Sequence, residues 1–142
     1  MNAYRILDSN LNRLSEGLRV IEEYFRFIQE DVKITEELKK LRQTINSLFA
    51  NFKEYNLLLQ NRNSDTDIGK SENFDKTNLK RLSYNDVLRA NFKRTQEAAR
   101  VMEEYSKLLN IDASSFKKIR FKLYSLEKKT LTEIRRENEH TN

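Results

Sequence analysis

The feature that most constrains this chain is an internal duplication. Much of the segment 5–27, RILDSNLNRLSEGLRVIEEYFRF, returns eighty-one positions later within residues 87–109, VLRANFKRTQEAARVMEEYSKLL. The identical pairs are Asn10 and Asn91, Arg13 and Arg94, Glu16 and Glu97, Arg19 and Arg100, Val20 and Val101, Glu22 and Glu103, Glu23 and Glu104, and Tyr24 and Tyr105. A repeat of this length predicts two structurally related halves.

The apolar residues of the repeat are less alike than its polar residues. The first copy has a helical stripe of apolar residues at Leu7, Leu11, Leu14, Leu18, Ile21, Phe25 and Ile28. The second copy has Leu88, Phe92, Thr95, Ala99, Met102, Ser106 and Leu109 at those positions. A duplicated packing unit needs to repeat only its apolar pattern, so retention of the polar residues predicts two equivalent half-sites.

Composition predicts that both halves are helical. The chain has 142 residues, with 35% charged, two Gly and no Pro, which argues against many tight turns. We expect four helices. The first covers about residues 4–30, and the second follows Thr35 as its N-cap and extends to about 59. The third begins at Ser83, which forms a capping box with Asp86, and extends to 109, and the fourth begins within 112–115. The prediction is one all-α domain spanning 1–142, a pseudo-symmetric four-helix bundle of two helical hairpins, 4–59 and 83–137, joined by a long central loop, 60–82.

The residue types that are missing exclude several kinds of chemistry. There is no Cys, and the only His is His140, which removes thiol nucleophiles, Ser-His triads and Cys/His zinc sites. A metal would be held by carboxylates, which favours Mg²⁺ or Mn²⁺. There is no apolar run of membrane-spanning or signal-peptide type, so we expect a cytoplasmic protein with no membrane contact.

The net charge of +5 suits an anionic partner, either a phosphorylated metabolite or a nucleic acid. Many of the basic residues fall in the last predicted helix, where they alternate with glutamates. Such a pattern is more typical of a solvated helix face than of a nucleic-acid site.

One flank beside each apolar stripe carries the candidate site residues. In the first copy the flank is Asn10, Arg13, Gly17, Val20 and Tyr24, and in the second it is Asn91, Arg94, Ala98, Val101 and Tyr105. A small residue in the middle permits close approach of a helix or a ligand, and the bordering Asn and Arg require polar partners such as phosphate. The spacings of Arg19 with Glu22 and of Arg100 with Glu103 also suit ordinary ion pairs, so both interpretations stay open.

These residues resemble the small hydroxymethylpyrimidine-phosphate kinase family of thiamin biosynthesis, whose members stand alone or are fused in front of thiamin-phosphate synthase. The resemblance covers nearly the whole chain and rests on two signatures. The first is Arg5-Ile6, Asp8, Asn10, Asn12-Arg13, Glu16-Gly17-Leu18-Arg19-Val20, Glu22-Glu23-Tyr24 and Arg26-Phe27, and the second is Ala90-Asn91, Arg94, Glu97-Ala98, Arg100-Val101 and Glu103-Glu104-Tyr105.

The resemblance implies transfer of the γ-phosphoryl group of ATP, with Mg²⁺, to 4-amino-5-hydroxymethyl-2-methylpyrimidine phosphate, which gives the diphosphate. For this chemistry we expect phosphate contacts from Arg13, Arg94 and Arg62. We expect substrate contacts from Asn10, Asn91, Arg19, Arg100, Tyr24 and Tyr105, and metal ligands from Asp67 with Glu16 or Glu97. The fusions imply association with thiamin-phosphate synthase, and whether the active unit is a monomer or a homo-oligomer stays open.

The central loop departs from the family pattern, which usually has Arg-Asp-Thr followed by Asp-Val-Gly-Thr. Here the residues are Arg62-Asn63-Ser64 and Asp67-Ile68-Gly69-Lys70. Asn63 cannot supply a carboxylate and Lys70 has no hydroxyl, so either the metal is held elsewhere or the chemistry is weaker. The competing hypotheses are a non-catalytic helical module that binds a phosphorylated ligand or a partner protein, and, resting only on charge, a nucleic-acid-binding bundle.

Overall fold

The computed structural model describes residues 3–50, 55–70 and 80–140. All regular structure in these residues is helical, which confirms the all-α prediction. The α-helices are α1, Ala3–Phe27; α2, Val32–Ala50; α3, Tyr55–Asn61; α4, Tyr84–Ser106; and α5, Ser114–His140. Short 3₁₀ helices cover Ile68–Lys70 and Lys107–Leu109. None of the helices in the described residues is long and apolar enough to cross a membrane.

The predicted turn between the first two helices is wrong in detail. Helix α1 ends at Phe27 because Glu30 adopts a left-handed φ of 52°, and the Asp31 N–H donates to the Phe25 carbonyl at 2.9 Å. Helix α2 then begins at Val32, since the Asp31 carboxylate accepts from the Ile34 N–H at 3.0 Å and caps it. Thr35 was the predicted cap, but it lies in the first turn of α2 and its hydroxyl donates to the Asp31 carbonyl.

The second hairpin begins as predicted. The Ser83 side chain accepts from the Asp86 N–H at 3.1 Å, so Ser83 caps α4. The Asp86 carboxylate accepts from the Leu82 N–H, one residue before the position expected of a capping box. The α-helix ends at Ser106 and not at Leu109, because a 3₁₀ turn follows and leads to Asn110, whose φ is 55°.

The predicted central segment is only partly visible. The predicted continuation of the second helix to Leu59 crosses residues 51–54, which lie outside the described residues, and α3 extends to Asn61. The predicted loop 60–82 likewise includes residues 71–79, which lie outside them. Residues 62–68 of the loop pack beside α1, through contacts of Arg62 and Asn63.

Helices α1 and α4, the two copies of the repeat, form an antiparallel central pair. Helix α2 packs on α1, α5 packs on α4, and α3 also contacts α1. All five contribute to one apolar core, whose fully buried members include Leu14, Ile45, Leu58, Phe92 and Leu123. The duplicated apolar stripe therefore forms the central interface of the fold, and each copy also carries its own outer helix.

The two central helices pack closely at Gly17. A Cβ atom built there would lie 2.6 Å from the Cγ2 atom of Thr95 and 3.5 Å from the Asn91 carbonyl oxygen. Thr95 is fully buried and its hydroxyl donates to the Phe92 carbonyl, so it has little freedom to move. The small residue predicted to permit close approach of a helix or a ligand thus accommodates the second helix.

We expect Gly17→Ala to lower the free energy of unfolding by about 1–2 kcal/mol, since overpacking of this contact outweighs the better helix propensity of alanine. Thr95→Ser removes the Cγ2 atom and keeps the hydroxyl. The double variant should therefore recover most of the loss, which urea denaturation followed by circular dichroism would measure. If the stability lost by the double variant equalled the sum of the losses in the two single variants, the contact would be contradicted.

The repeated glutamates form a matched pair of clasps within the two hairpins. Glu22 is buried on α1, and Arg42 of α2 reaches it at 3.4 Å. Glu103 is buried on α4, and Arg120 of α5 binds it through Nε at 2.9 Å. Both carboxylates also pair with an arginine on their own helix, Glu22 with Arg19 at 3.5 Å and Glu103 with Arg100 at 3.2 Å. Retention of these polar residues therefore has a structural reason.

Burial alone would raise the pKa of Glu103, but the hydrogen bond and charge of Arg120, helped by Arg100, outweigh it and hold the pKa below its ordinary value of 4.5. A depressed folded-state pKa stabilises the fold above about pH 4.5, and this stabilisation is lost as the pH falls through the folded-state pKa.

We expect Glu103→Gln to lower the free energy of unfolding by about 1–3 kcal/mol at neutral pH, with the difference from wild type shrinking below pH 4.5. Denaturation curves across this pH range would measure it. Glu104→Gln is the control, because Glu104 is half exposed and its ion pairs are solvated. A stability difference between Glu103→Gln and wild type that does not change with pH would contradict a depressed pKa at Glu103.

Candidate functional site

A cleft of about 1120 Å³ opens on one end of the α1–α4 interface. It is formed by the N-terminal half of α1, the central segment 62–68 and the C-terminal end of α4. The lining residues of α1 are Ala3, Arg5, Ile6, Asp8, Ser9, Asn10, Asn12, Arg13 and Glu16. The remaining lining residues are Arg62, Asn63, Ser64, Thr66, Asp67 and Ile68 from the central segment, and Val101, Tyr105 and Leu108 from the end of α4 and the turn after it.

Asn10 and Arg13 form the polar part of the α1 wall. Asn10 is buried, and its side-chain amide donates to the Ile6 carbonyl at 2.9 Å. Its Oδ1 accepts from Nη1 of Arg13 at 3.4 Å, so the amide orients the arginine, whose side chain is exposed at the cleft. Asn91 makes the equivalent bond to the Val87 carbonyl at 2.8 Å. The asparagine of each copy is thus held by its own helix.

The central segment is attached to α1 by a carboxylate and guanidinium pair. Nε of Arg62 donates to Oδ2 of Asp8 at 2.7 Å, and Nη2 donates to Oδ1 at 2.6 Å. The Asp8 side chain is 7% exposed, so its charge depends on this bidentate pairing for compensation. Arg62, predicted to contact phosphate, is therefore engaged at least in part in docking the segment.

Three further hydrogen bonds shape the segment. Nη2 of Arg5 donates to the Asn63 carbonyl at 2.9 Å, and the Asn63 side chain accepts from the Thr66 N–H at 3.3 Å. The side chain of Asn63 therefore closes a turn, a role that an aspartate would fill equally well.

The Asp67 carboxylate accepts from the Gly69 N–H at 3.0 Å. Lys70, the other departure from the family pattern, lies 3.9 Å from Asp65 on the surface and is not part of the cleft lining.

Of the predicted metal ligands, Asp67 and Glu16 line the cleft and Glu97 does not. The described residues contain no group of three His, Cys, Asp or Glu side chains placed to hold a metal ion. Two carboxylates still suit Mg²⁺, which keeps several waters and takes its remaining ligands from the phosphates of a substrate. The donor set therefore fits a magnesium ion that arrives with a phosphorylated ligand.

The structure brings together six of the twelve predicted site residues. Those that line the cleft are Asn10, Arg13, Glu16, Arg62, Asp67 and Tyr105, and those outside its lining are Arg19, Tyr24, Asn91, Arg94, Glu97 and Arg100. Of the residues outside the lining, Arg94 forms an ion pair with a cleft residue, since its Nη2 lies 3.7 Å from Oε2 of Glu16. Arg19 and Arg100 are engaged in the clasps.

Sequence reasoning missed Arg5 and Asp8 as site residues. Both belong to the first signature, but neither recurs in the second copy, where Asp86 and Arg89 occupy their positions. Repeated identities point to residues that the two halves share, whereas Arg5 and Asp8 line the cleft with no identical residue in the second copy. The signal available was an aspartate directly after Leu7, within the apolar stripe of the helix.

The fold and the cleft define a class: an all-α protein of duplicated helical hairpins, with a cleft that presents arginines and carboxylates, the residue types suited to a phosphorylated ligand and its metal ion. Comparison with known proteins is specific, since residues 5–129 match the model of the ThiD2 family. The chain belongs to the ThiD2 family.

Similar proteins carry the name thiamine-phosphate synthase. The chain is 44% identical over 124 residues to the one of Thermosynechococcus vestitus, 42% identical over 125 residues to that of Nostoc punctiforme, and 39% identical over 124 residues to that of Synechocystis sp.. Each match covers 87% of this chain and 34% of the relative, so the chain spans about a third of the length of these relatives. No solved structure matches the chain.

Proposed function

We propose that this chain is a kinase of thiamin biosynthesis, which transfers the γ-phosphoryl group of ATP to 4-amino-5-hydroxymethyl-2-methylpyrimidine phosphate. The observation that supports this most is the convergence of the first signature of α1 with Arg62 and Asp67 of the central segment around one cleft. The synthase reaction in the relatives' name is not assigned to this chain, because the described residues contain no strand and so no barrel of the kind that enzyme uses.

Phosphoryl transfer requires little covalent chemistry from the protein. A phosphate oxygen of the acceptor forms a bond to the γ-phosphorus, and the bond from that phosphorus to the oxygen bridging to the β-phosphate breaks, which releases ADP. The protein must bring two polyanions together and neutralise the charge that develops between them. Cationic side chains in a closely fitted cleft can both bind the two polyanions and neutralise this charge.

The cleft residues divide this work by charge. Arg13, which is exposed and hydrogen-bonded to Asn10, would bind the transferred phosphate, and Arg5 lies about two helical turns away on the same wall. Asp67 and Glu16 are the carboxylates that would hold Mg²⁺, which when bound neutralises phosphate charge. Asp8 positions the central segment through Arg62, and so places Asp67 at the cleft.

The direct test is ADP release measured by a coupled assay with Mg²⁺-ATP, in the presence and absence of the pyrimidine phosphate. We expect ADP release to depend on the pyrimidine phosphate and to match formation of its diphosphate mole for mole, and we expect removal of Mg²⁺ by EDTA to abolish it. If ADP forms no faster with the pyrimidine phosphate than without it, the kinase is rejected. Binding of the pyrimidine phosphate without ADP release would instead favour the non-catalytic module.

A further inference from the structure

The duplication allows the two ends of the α1–α4 interface to be compared residue by residue. At the cleft end, Tyr105 of α4 lies opposite the N-terminal half of α1. At the other end, its repeat partner Tyr24 of α1 lies opposite the N-terminal half of α4, where its ring contacts Tyr84. The two ends therefore offer the same tyrosine in two different environments.

At the far end an aromatic ring packs on the tyrosine of the repeat. Tyr24 is only 9% exposed, and its ring centroid lies 5.4 Å from that of Tyr84 with the planes tilted by 44°. Its hydroxyl accepts from Nε2 of Gln29 at 2.8 Å. Tyr24 is therefore fully engaged within the protein.

The cleft end lacks that ring. The residue at the repeat position of Tyr84 is Ala3, which lines the cleft. Tyr105 is 39% exposed, and among the described residues its ring has no aromatic contact and its hydroxyl has no hydrogen-bond partner. Val101 and Leu108 flank it with apolar surface in the same lining. An exposed aromatic face with apolar neighbours in a polar cleft is suited to a flat, largely apolar group.

We propose that Tyr105 is the specificity-determining residue on which a heteroaromatic ring of the ligand stacks, in the place that the Tyr84 ring occupies on Tyr24 at the other end. This inference rests on the proposed function for the position of the ligand's phosphate near Arg13, on the facing wall of the cleft. The pyrimidine of the acceptor and the adenine of the nucleotide could both stack in this way, since both present a π face.

The experiment is calorimetric titration of the full chain with three probes: the pyrimidine phosphate, ADP, and inorganic pyrophosphate, which carries charge but no ring. Tyr105→Leu removes the aromatic face, Tyr105→Phe keeps it, and Tyr84→Leu is the control at the far end. We expect Tyr105→Leu to weaken binding of one ring-bearing probe by about tenfold or more and to leave pyrophosphate unchanged. Tyr105→Phe and Tyr84→Leu should bind all three probes as the wild type does.

The probe that loses affinity identifies which ring stacks on Tyr105. Equal weakening of pyrophosphate and the ring-bearing probes would overturn the inference, because it would show a structural role. Unchanged affinity for both ring-bearing probes in Tyr105→Leu, or a Tyr105→Phe variant as weak as Tyr105→Leu, would also overturn it. A protein that binds a ring through Tyr105 but releases no ADP would reject the kinase and leave this inference standing.

Discussion

Arg13→Ala is expected to lower kinase turnover by about 10²–10³-fold with little change in melting temperature, whereas Arg94→Ala should keep turnover close to that of wild type. The two residues are repeat partners on equivalent helices, so each is a matched control for the other. Of the two, only Arg13 lines the cleft, where Nη1 of its guanidinium donates to Oδ1 of Asn10 at 3.4 Å. Its loss removes a fixed positive charge at the reacting group.

Arg94 is expected to matter much less because its described contact is a solvated ion pair. It lies 3.7 Å from Glu16, and the two side chains are 53% and 68% exposed. Such a pair contributes well under about 1 kcal/mol. Turnover with saturating Mg²⁺-ATP, melting temperature and helicity by circular dichroism should be measured for both variants.

The comparison separates two models of the duplication. Large and equal losses of turnover in both variants would support one pocket shared by both flanks. Near-normal turnover in Arg13→Ala would remove the cleft from the proposed chemistry. Joint unfolding of the variants would assign both arginines to the fold.

The helical architecture was predictable because apolar periodicity reports directly on burial. Leu7, Leu14 and Ile21 of α1, with Leu88 and Phe92 of α4, are all fully buried, as the two stripes predict. The stripe fails where the helix stops: Ile28 was predicted to face inward but is 50% exposed, because α1 ends at Phe27 and the helical period no longer applies. The end itself depends on backbone geometry at Glu30, which no pattern of apolar residues encodes.

The candidate site was less predictable because a repeated polar residue can serve the fold or a ligand, and the letters do not distinguish these roles. Arg19 and Arg100 support buried glutamates, each of which is completed by an arginine from the neighbouring helix. Only the three-dimensional placement of Arg42 and Arg120 reveals those clasps.

The two ends of the central helix pair differ because of residues that do not repeat. Ala3 leaves space where Tyr84 fills it, and Asp8 binds the central segment where its repeat partner is Arg89. A search for equivalent half-sites gives weight to identities, so it passes over such differences. The two ends therefore have different surroundings in the described residues, although the repeated residues predict two equivalent half-sites.

Asp8→Asn is expected to lower kinase turnover by about 10²-fold, because misplacement of a catalytic element by a small distance is enough for such a loss. Asp8 touches the central segment through Arg62, and the segment carries Asp67 to the cleft. Arg62 is 42% exposed and regains water when the pair is broken, so the free energy of unfolding should fall by only about 1–2 kcal/mol. Turnover, KM for Mg²⁺-ATP and denaturation curves measure the two effects separately.

Glu22→Gln is the matched control, because Glu22 is also a buried carboxylate of α1 that pairs with an arginine from another part of the chain. Its partner Arg42 belongs to α2, outside the cleft lining, so we expect a loss of about 1–3 kcal/mol in stability with turnover of the folded enzyme unchanged. Arg62→Gln should lower turnover as much as Asp8→Asn does, although it should cost more stability because it leaves the buried Asp8 carboxylate without this guanidinium. The double variant should lose little more turnover than either single variant, since both changes break one contact. Additive losses of turnover would show that Arg62 acts on the substrate itself, as a phosphate contact, and equal losses of turnover in Asp8→Asn and Glu22→Gln would show that the Asp8 pair supports only the fold.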